Sequence, residues 1–240
     1  MSDAEKPSDV AHAARAILDH SDLLRCTYVE ALLSGRMSLE GFRRTQEQFY
    51  FAVEFYPRPM AALVSRIPEA ESRIDILRNL VEEHGEFDAS AFHKSTFQRF
   101  LISIGCDPAR LASLTPWPEV RAFNCVLAAA CGLEDPGVGM GCMGIIELAF
   151  ANISAEMGRG VVKRGWVRRE DLVHYSLHAE LDIRHAEDFF KAAGPLWRSQ
   201  TGRVHVQAGL ELGAHVFGKL YEDLAKAALT PPAPSANRPT

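Results

Sequence analysis

The sequence lacks the features that mark secreted, membrane-spanning or nucleic-acid-binding proteins. Its five cysteines are odd in number and form no Cys-x-x-Cys pair, which favours reduced and mostly buried thiols. A net charge of -5 provides no basic surface for nucleic acid or an anionic membrane. The longest uncharged run, residues 122–133, is too short to span a bilayer, and the N-terminus resembles no signal peptide. These absences predict a cytoplasmic protein with no nucleic-acid and no membrane partner.

Helical periodicity dominates the chain, and clear strand alternation is absent. The 240 residues are 47% hydrophobic, which is enough to bury one core, and no internal repeat or long linker divides them. Ser38 is the predicted N-cap of a long helix. The prolines of Tyr-Pro-Arg-Pro at 56–59 should kink or interrupt that same helix. The sequence thus predicts one all-α domain over residues 9–229, flanked by disordered tails at 1–8 and 230–240.

The most informative motif is His-Ala-Glu-Leu-Asp-Ile-Arg-His, which places His178, Asp182 and His185 at positions 0, +4 and +7. On a helix these three side chains lie on one face. Two imidazoles and a carboxylate suit a divalent transition metal such as iron, manganese or zinc. The neighbouring residues are apolar, so the polar stripe would be unfavourable without a partner. The motif predicts a metal site; the alternative is that these histidines are ordinary core or surface residues.

Glu147 is the second candidate. It is the only charged residue between Asp135 and Glu156, and it lies among isoleucine, leucine and phenylalanine. A lone carboxylate in a hydrophobic helix must be neutralised, paired or metal-bound. We predict that Glu147 is a metal ligand; pairing with an arginine is the alternative.

Two further ligands are predicted around Glu82-Glu83-His84 and at His93. At 100° per residue, four apolar positions define the expected inner face of this helix: Ile74, Leu77, Leu80 and Val81. Glu83 is placed nearer that face than Glu82, so we predict Glu83 as the ligand and His93 as its partner. Glu82 stays an alternative because helix phase is uncertain near a C-terminus. His84 is a capping or outer residue, or replaces one of these choices.

This ordered set of motifs resembles the heme-oxygenase-like diiron oxidases and oxygenases. The resemblance covers about residues 46–190 and includes a Phe-Tyr-Phe-Ala-Val-Glu-Phe-Tyr-Pro-Arg stretch similar to the aromatic second helix of that family. Some members recruit an additional carboxylate from the second helix, for which Glu54 is the nearest candidate. The ligands that the resemblance implies are Glu83, His93, Glu147, His178, Asp182 and His185.

The resemblance implies a heme-oxygenase-like bundle of about seven helices that binds two irons and no haem. It also implies an enzyme that activates O2 to oxidise a small biosynthetic substrate, for which an amino-acid derivative is our guess. The fold does not choose among N-oxygenation, desaturation and C–C cleavage. Dimerisation is compatible with this fold, although no isolated apolar stripe demonstrates a homodimer.

Other classes of protein share the implied architecture or the metal chemistry. A metal-free enzyme similar to thiaminase II or the pyrroloquinoline-quinone synthase is one alternative. Thiaminase-type chemistry needs an activated thiol, and Cys142 has only apolar neighbours. A non-catalytic interaction protein would leave the ordered ligands without a role. A zinc hydrolase is disfavoured because His-Glu-x-x-His is missing. The glycine-rich segment 137–144 lacks the context of a nucleotide site and is interpreted as a helix entry or a site of close helix packing.

Overall fold

Capping residues fix the start of several helices in the computed structural model, which describes residues 9–230. The Ser38 hydroxyl accepts a hydrogen bond from the Gly41 N–H, as the sequence predicts. Asp9 and Asp135 cap two further helices through their side chains. The predicted tail at 1–8 lies outside the described residues, as does all of the predicted 230–240 tail except Thr230.

Residues 9–230 form eleven α-helices and no strand, which confirms the all-α prediction. The helices are α1 (Val10–His20), α2 (Thr27–Ser34), α3 (Leu39–Phe55), α4 (Pro57–Val64), α5 (Ala70–Glu83), α6 (His93–Ser103), α7 (Pro108–Ser113), α8 (Pro118–Gly132), α9 (Pro136–Lys163), α10 (Val173–Trp197) and α11 (Gln200–Leu229).

The predicted count of about seven helices is too low, because short turns divide segments that the apolar periodicity indicates as single helices. The predicted segment from Val10 to Leu33 is interrupted by a 3-10 turn at Leu23–Arg25 and becomes α1 and α2. The proline at 57 ends α3 and opens α4 at its first helical position, where the missing N–H has no partner to lose.

Helix α9 is the central helix, with α10 and α11 packed along it. The glycine-rich segment lies within α9 and faces α11: a Cβ on Gly141 would collide with the carbonyl oxygen of Val206. From the other side, a Cβ on Gly209 would collide with the carbonyl oxygen of Val138. These glycines therefore allow two backbones to approach closely, which is the second of the two interpretations offered above.

Helix α9 is also long and apolar enough, by length and composition alone, to cross a membrane. However, 83% of its most apolar window is buried inside the fold. A helix that is apolar on all sides and covered by protein is a core helix. Residues 9–230 therefore resemble a helical bundle in which one apolar helix is buried as the core.

The predicted inner face of α5 is wrong at Ile74 and Leu77, whereas Leu80 and Val81 are half-buried. Ile74 and Leu77 are 55% and 42% exposed, whereas Ile76 and Asn79 are fully buried and Glu83 nearly so. The helix turns its polar residues inward because they find partners there; the Asn79 amide, for example, donates to the His185 carbonyl oxygen at 3.3 Å. Periodicity of apolar residues thus misplaces a helix face that carries polar side chains into the core.

Candidate metal centre

The six predicted ligands come together in one buried cluster. They lie on four helices, α5, α6, α9 and α10, and each is at most 5% exposed. Three are carboxylates and three are imidazoles, a donor set typical of iron, manganese or zinc. The members are Glu83, His93, Glu147, His178, Asp182 and His185.

One side of the cluster is formed where α5 passes to α6. Glu83 is the last residue of α5 and His93 is the first residue of α6. His93 Nδ1 lies 2.9 Å from Glu83 Oε1. The chain reverses between them through positive φ angles at Gly85, Glu86 and Phe87 (55°, 52° and 73°). Such angles are strained for Glu and Phe, and this tight connection holds the two side chains together.

The other side is formed by α9 and α10. Glu83, Glu147 and His185 each offer one ligand atom within 4.8 Å of the other two. His185 Nδ1 lies 3.8 Å from Glu147 Oε2 and 3.8 Å from Asp182 Oδ1. His178 Nδ1 lies 2.8 Å from Asp182 Oδ1, one helical turn away. The ligand atoms of Glu83, Glu147 and His185 are therefore close enough together to hold one metal ion.

Several buried atoms of the cluster have no hydrogen-bond partner among residues 9–230. They are Glu147 Oε1, His178 Nε2, Asp182 Oδ2, His185 Nδ1 and His93 Nδ1, the last of which approaches Glu83 without hydrogen-bond geometry. Buried polar atoms are nearly always paired, and an unpaired one costs about 1–3 kcal/mol. A divalent cation would bind these lone pairs together, so the residues present fit such an ion.

The local electrostatics reflect this crowding. Burial raises the pKa of Glu83, but the neighbouring histidines, His93 foremost, outweigh it and bring that pKa to about 2. Burial raises the pKa of Glu147 to about 7 and lowers that of His178 to about 4. Burial also opposes the charged form of His185, but the Glu147 carboxylate prevails and raises its pKa to about 10. Without a cation, these side chains stabilise one another only by sharing protons.

The structure separates Glu82 from Glu83. Glu82 Oε2 lies 2.8 Å from His185 Nε2, on the outer side of that ring, and also accepts from the Arg184 guanidinium. This contact orients the imidazole so that its Nδ1 faces Glu147 and the cluster. Glu82 therefore holds the His185 ring by a hydrogen bond on the side away from the cluster, and Glu83 lies inside the cluster.

Neither of the two other sequence candidates joins the cluster. Glu54 is partly exposed, pairs with Lys94 at 3.5 Å and accepts from the Tyr50 hydroxyl. His84 Nδ1 lies 2.8 Å from the Leu80 carbonyl oxygen, which makes it a C-terminal capping residue of α5. Both side chains thus satisfy their polar groups locally.

Sequence reasoning missed His174, which is fully buried next to the cluster. Its ring centroid lies 4.2 Å from that of His178. The signal was present, because His174, His178 and Asp182 follow one another at steps of four and share one face of α10. Burial holds the pKa of His174 well below its usual range, so the ring is neutral.

A narrow cavity of about 40 Å³ lies beside the cluster. Glu83, Glu147, His174 and His178 form its polar wall. The remaining wall is apolar or aromatic: Phe49, Ala52, Val53, Tyr56, Phe123, Ile146, Phe150 and Phe217. A cluster of ligand-type side chains at the wall of an apolar cavity is a typical arrangement for a small-molecule site.

A sequence profile of a family described as "iron-containing redox enzyme" matches residues 43–217, which include every residue of the cluster. The chain belongs to this family. Membership confirms the resemblance to this family. The family is one of enzymes, and iron is the metal expected in it. The heme-oxygenase-like all-α fold is confirmed as well.

Proteins similar to this one align over most of the chain. The 4-aminobenzoate synthase of Chlamydia trachomatis is 22% identical over 205 residues, covering 85% of this chain and 87% of that protein. The 4-chloro-allylglycine synthase of Streptantibioticus cattleyicolor is 20% identical over 184 residues, covering 76% and 70%. A CADD-like protein of unknown function from Nostoc punctiforme superposes with a TM-score of 0.75 at 12% identity, covering 92% of this chain and 99% of that one.

Proposed function

We propose that this protein is a non-haem diiron oxidase or oxygenase that activates O2 and oxidises a small biosynthetic substrate held in the apolar cavity. The proposed ligands of the irons are the six clustered side chains: Glu83, His93, Glu147, His178, Asp182 and His185. No haem takes part in this proposal.

One observation carries the proposal: buried carboxylates and imidazoles from four helices converge with lone pairs that no described protein group satisfies. Burying such groups is unfavourable unless a ligand compensates for it. The iron-containing family to which the chain belongs makes iron the first candidate. The synthase names of the relatives support a biosynthetic enzyme with a small-molecule substrate.

The number of donors favours two ions over one. Glu83, Glu147 and His185 already surround one position. His93, His178 and Asp182 adjoin that group, and the three carboxylates can each use both oxygens. Together they carry more donor atoms than one octahedral ion accepts, and carboxylates commonly bridge two metals inside helical bundles.

When bound, the two irons would supply the electrons that reduce O2 and the oxidising power that acts on the substrate. The protein's own residues do the rest. Neutral imidazoles and carboxylates hold the metals, and Glu82 keeps the His185 ring oriented. The aromatic wall excludes water from the reacting groups and positions the substrate against the cluster.

A metal-free enzyme of the same fold is the second candidate, but its chemistry has little support in this chain. The Cys142 thiol is buried away from the cavity wall, and burial raises its pKa far above the usual range, so it is not an activated nucleophile. A non-catalytic interaction protein would leave the buried lone pairs of Asp182 and His178 without a purpose. The cytoplasmic location and the homodimer stay predictions.

Iron loading tests the proposal directly. We expect anaerobic Fe(II) loading to give about two irons per chain, measured by a colorimetric iron assay and Mössbauer spectroscopy. Mixing with O2 should then produce a transient change in absorption. His178→Ala and Glu147→Ala should lose both the iron and the transient.

The matched control is Glu54→Ala, which removes a carboxylate outside the cluster and should keep both signals. Metal-free protein with full activity on its substrate would contradict the proposal. So would iron stoichiometry that is the same in His178→Ala as in the unmodified protein.

A further inference from the structure

The protonation of His174 is determined by its neighbours. His174 Nδ1 lies 3.0 Å from Thr96 Oγ1, and the Thr96 hydroxyl donates to the His93 carbonyl oxygen at 2.9 Å. A hydroxyl has one proton to donate, so Thr96 Oγ1 can only accept from His174. The His174 proton is therefore on Nδ1, and Nε2 carries a lone pair.

That lone pair is buried and has no hydrogen-bond partner among residues 9–230. The ring of His174 lines the cavity and is otherwise surrounded by rings: Phe97 at 4.7 Å and His178 at 4.2 Å between centroids. His174 is not part of the group Glu83, Glu147 and His185 that surrounds one metal position. It thus presents an acceptor to the cavity without a described role.

The rest of the cavity wall suits a ligand that has an apolar body and a hydrogen-bond donor. Four phenylalanines supply an apolar surface: Phe49, Phe123, Phe150 and Phe217. The Tyr56 hydroxyl, also at the wall, donates to the Met143 carbonyl oxygen at 3.3 Å and so presents lone pairs. The described lining contains no lysine or arginine, and hence no cationic partner for a carboxylate.

We propose that His174 Nε2 accepts a hydrogen bond from an N–H or O–H group of the substrate and thereby positions the substrate beside the cluster. The substrate class is a small molecule with an apolar body and at least one such donor. This inference rests on the proposed function for its assignment of the cavity as the substrate site. Its physical basis is that an apolar wall attracts the body of the ligand, while His174 Nε2 is the one unpaired buried acceptor of the described cavity lining outside the proposed ligand set and gains a hydrogen bond from a donor.

The competing role for Nε2 is that of a further iron ligand, and the two roles differ in a measurable way. A substrate acceptor affects ligand preference and leaves iron binding intact. A metal ligand affects iron stoichiometry or affinity. His174→Phe keeps a flat ring of similar shape and removes the acceptor.

The experiment compares the affinities of phenol and toluene, which share a ring and differ in the O–H donor. Binding is measured by calorimetry or ligand-observed NMR on anaerobic Fe(II)-loaded protein and again on metal-free protein, with iron content determined for each sample. We expect the phenol-to-toluene affinity ratio to fall about threefold to tenfold in His174→Phe, with iron content unchanged. A ratio that does not change, or a loss of iron in His174→Phe, would overturn the proposal.

Thr96 provides a second test that does not alter His174 itself. In Thr96→Val the Nδ1 proton loses its acceptor, so the ring is free to place that proton on Nε2 and the phenol preference should fall. Thr96→Ser retains the hydroxyl and should retain the preference. Equal ratios in these two variants would contradict the proposal even if His174→Phe fails to fold. Iron loading that fails while the ratios behave as expected would reject the diiron function and leave the binding role of His174 standing.

Discussion

Two clusters of buried polar side chains adjoin each other on helix α10, and they satisfy their polar groups in opposite ways. The metal cluster includes His178 and lies between α10, α5, α6 and α9. The second cluster, the tyrosine network, connects Tyr175 through Gln46 to Tyr28 and Thr45. All members of both are at most 5% exposed, so both face the same cost of burial.

In the tyrosine network each hydrogen bond determines the next. The Tyr175 hydroxyl donates to Gln46 Oε1, and Gln46 Nε2 donates to the Tyr28 hydroxyl at 2.9 Å. Thr45 Oγ1 donates to backbone carbonyls of its own helix, so it accepts from Tyr28 at 2.6 Å. The chain of donors ends on the α3 backbone, and these groups are all paired within the protein.

The metal cluster has no such ending, because its carboxylates and lone-pair nitrogens offer acceptors and few donors. A network in which every donor and acceptor is paired within the protein stabilises one packing of the core. A cluster with more acceptors than donors needs a bound cation instead. Burial of polar residues alone therefore does not identify a site. A site is identified by buried acceptors that outnumber the donors available to them.

The largest expected difference between the clusters is their response to iron. We expect Fe(II) to raise the free energy of unfolding of the unmodified protein by about 3–4 kcal/mol at concentrations several hundred times Kd. Glu147→Leu should abolish this gain. In the absence of metal the variant relieves the repulsion between Glu147 and Asp182 but also removes the partner of His185, so we expect a smaller change in stability than the iron-dependent gain. Anaerobic thermal unfolding with and without Fe(II) measures both quantities, and an undiminished iron effect in Glu147→Leu would contradict the distinction.

Breaking the tyrosine network should be costly whether or not iron is present. Gln46→Leu removes the donor to Tyr28 and the acceptor from Tyr175, leaving two buried hydroxyls without those partners. We expect a loss of about 2–3 kcal/mol in the free energy of unfolding, measured by denaturant titration. Equal losses with and without Fe(II) are required, and a loss confined to the iron-loaded protein would show that the two clusters are coupled.

The carboxylate behind His185 should have an intermediate effect. Glu82→Ala removes the acceptor at His185 Nε2, so the ring loses its fixed orientation. We expect iron affinity to fall about 10- to 100-fold, which competition with a coloured chelator can measure. Glu54→Ala is the matched control and should leave the affinity unchanged; a similar drop in both variants would point to a general effect of charge.

The smallest effects separate a paired tyrosine from an unpaired one. Tyr28 and Tyr221 are both fully buried and their rings contact edge to face at 5.7 Å, but the Tyr221 hydroxyl has no partner among residues 9–230. Tyr28→Phe should cost about 1 kcal/mol, whereas Tyr221→Phe should cost nothing or stabilise slightly. Chemical denaturation of the two variants side by side decides this, and equal losses would mean that Tyr221 has a partner too.

Much of the fold was readable from local signals. Ser38, the prolines at 57 and 59, and the glycines at 85 and 105 lie at helix boundaries, because caps and φ restrictions act within a few residues. The spacing of His178, Asp182 and His185 placed them on one helix face for the same local reason.

Other features could not be read locally. The inward face of α5 was mispredicted at Asn79 because that residue is polar and is matched by a group on another helix. Glu82 and Glu83 differ only in which side of His185 they approach, which depends on how α5 packs against α10. The spacing of His174 from His178 was readable locally, but its hydrogen-bond partner Thr96, 78 residues away in sequence, was not.

The sequence by itself determined that the chain is helical, which residue types are available as ligands, and at what spacing they occur on each helix. These properties follow from backbone geometry and side-chain chemistry within one or two helical turns. Only the tertiary structure decided which donors converge, which carboxylate faces inward, and which buried polar groups complete one another. Those outcomes depend on packing between distant segments, where a hydrogen bond or an unmatched lone pair exists only once two helices meet.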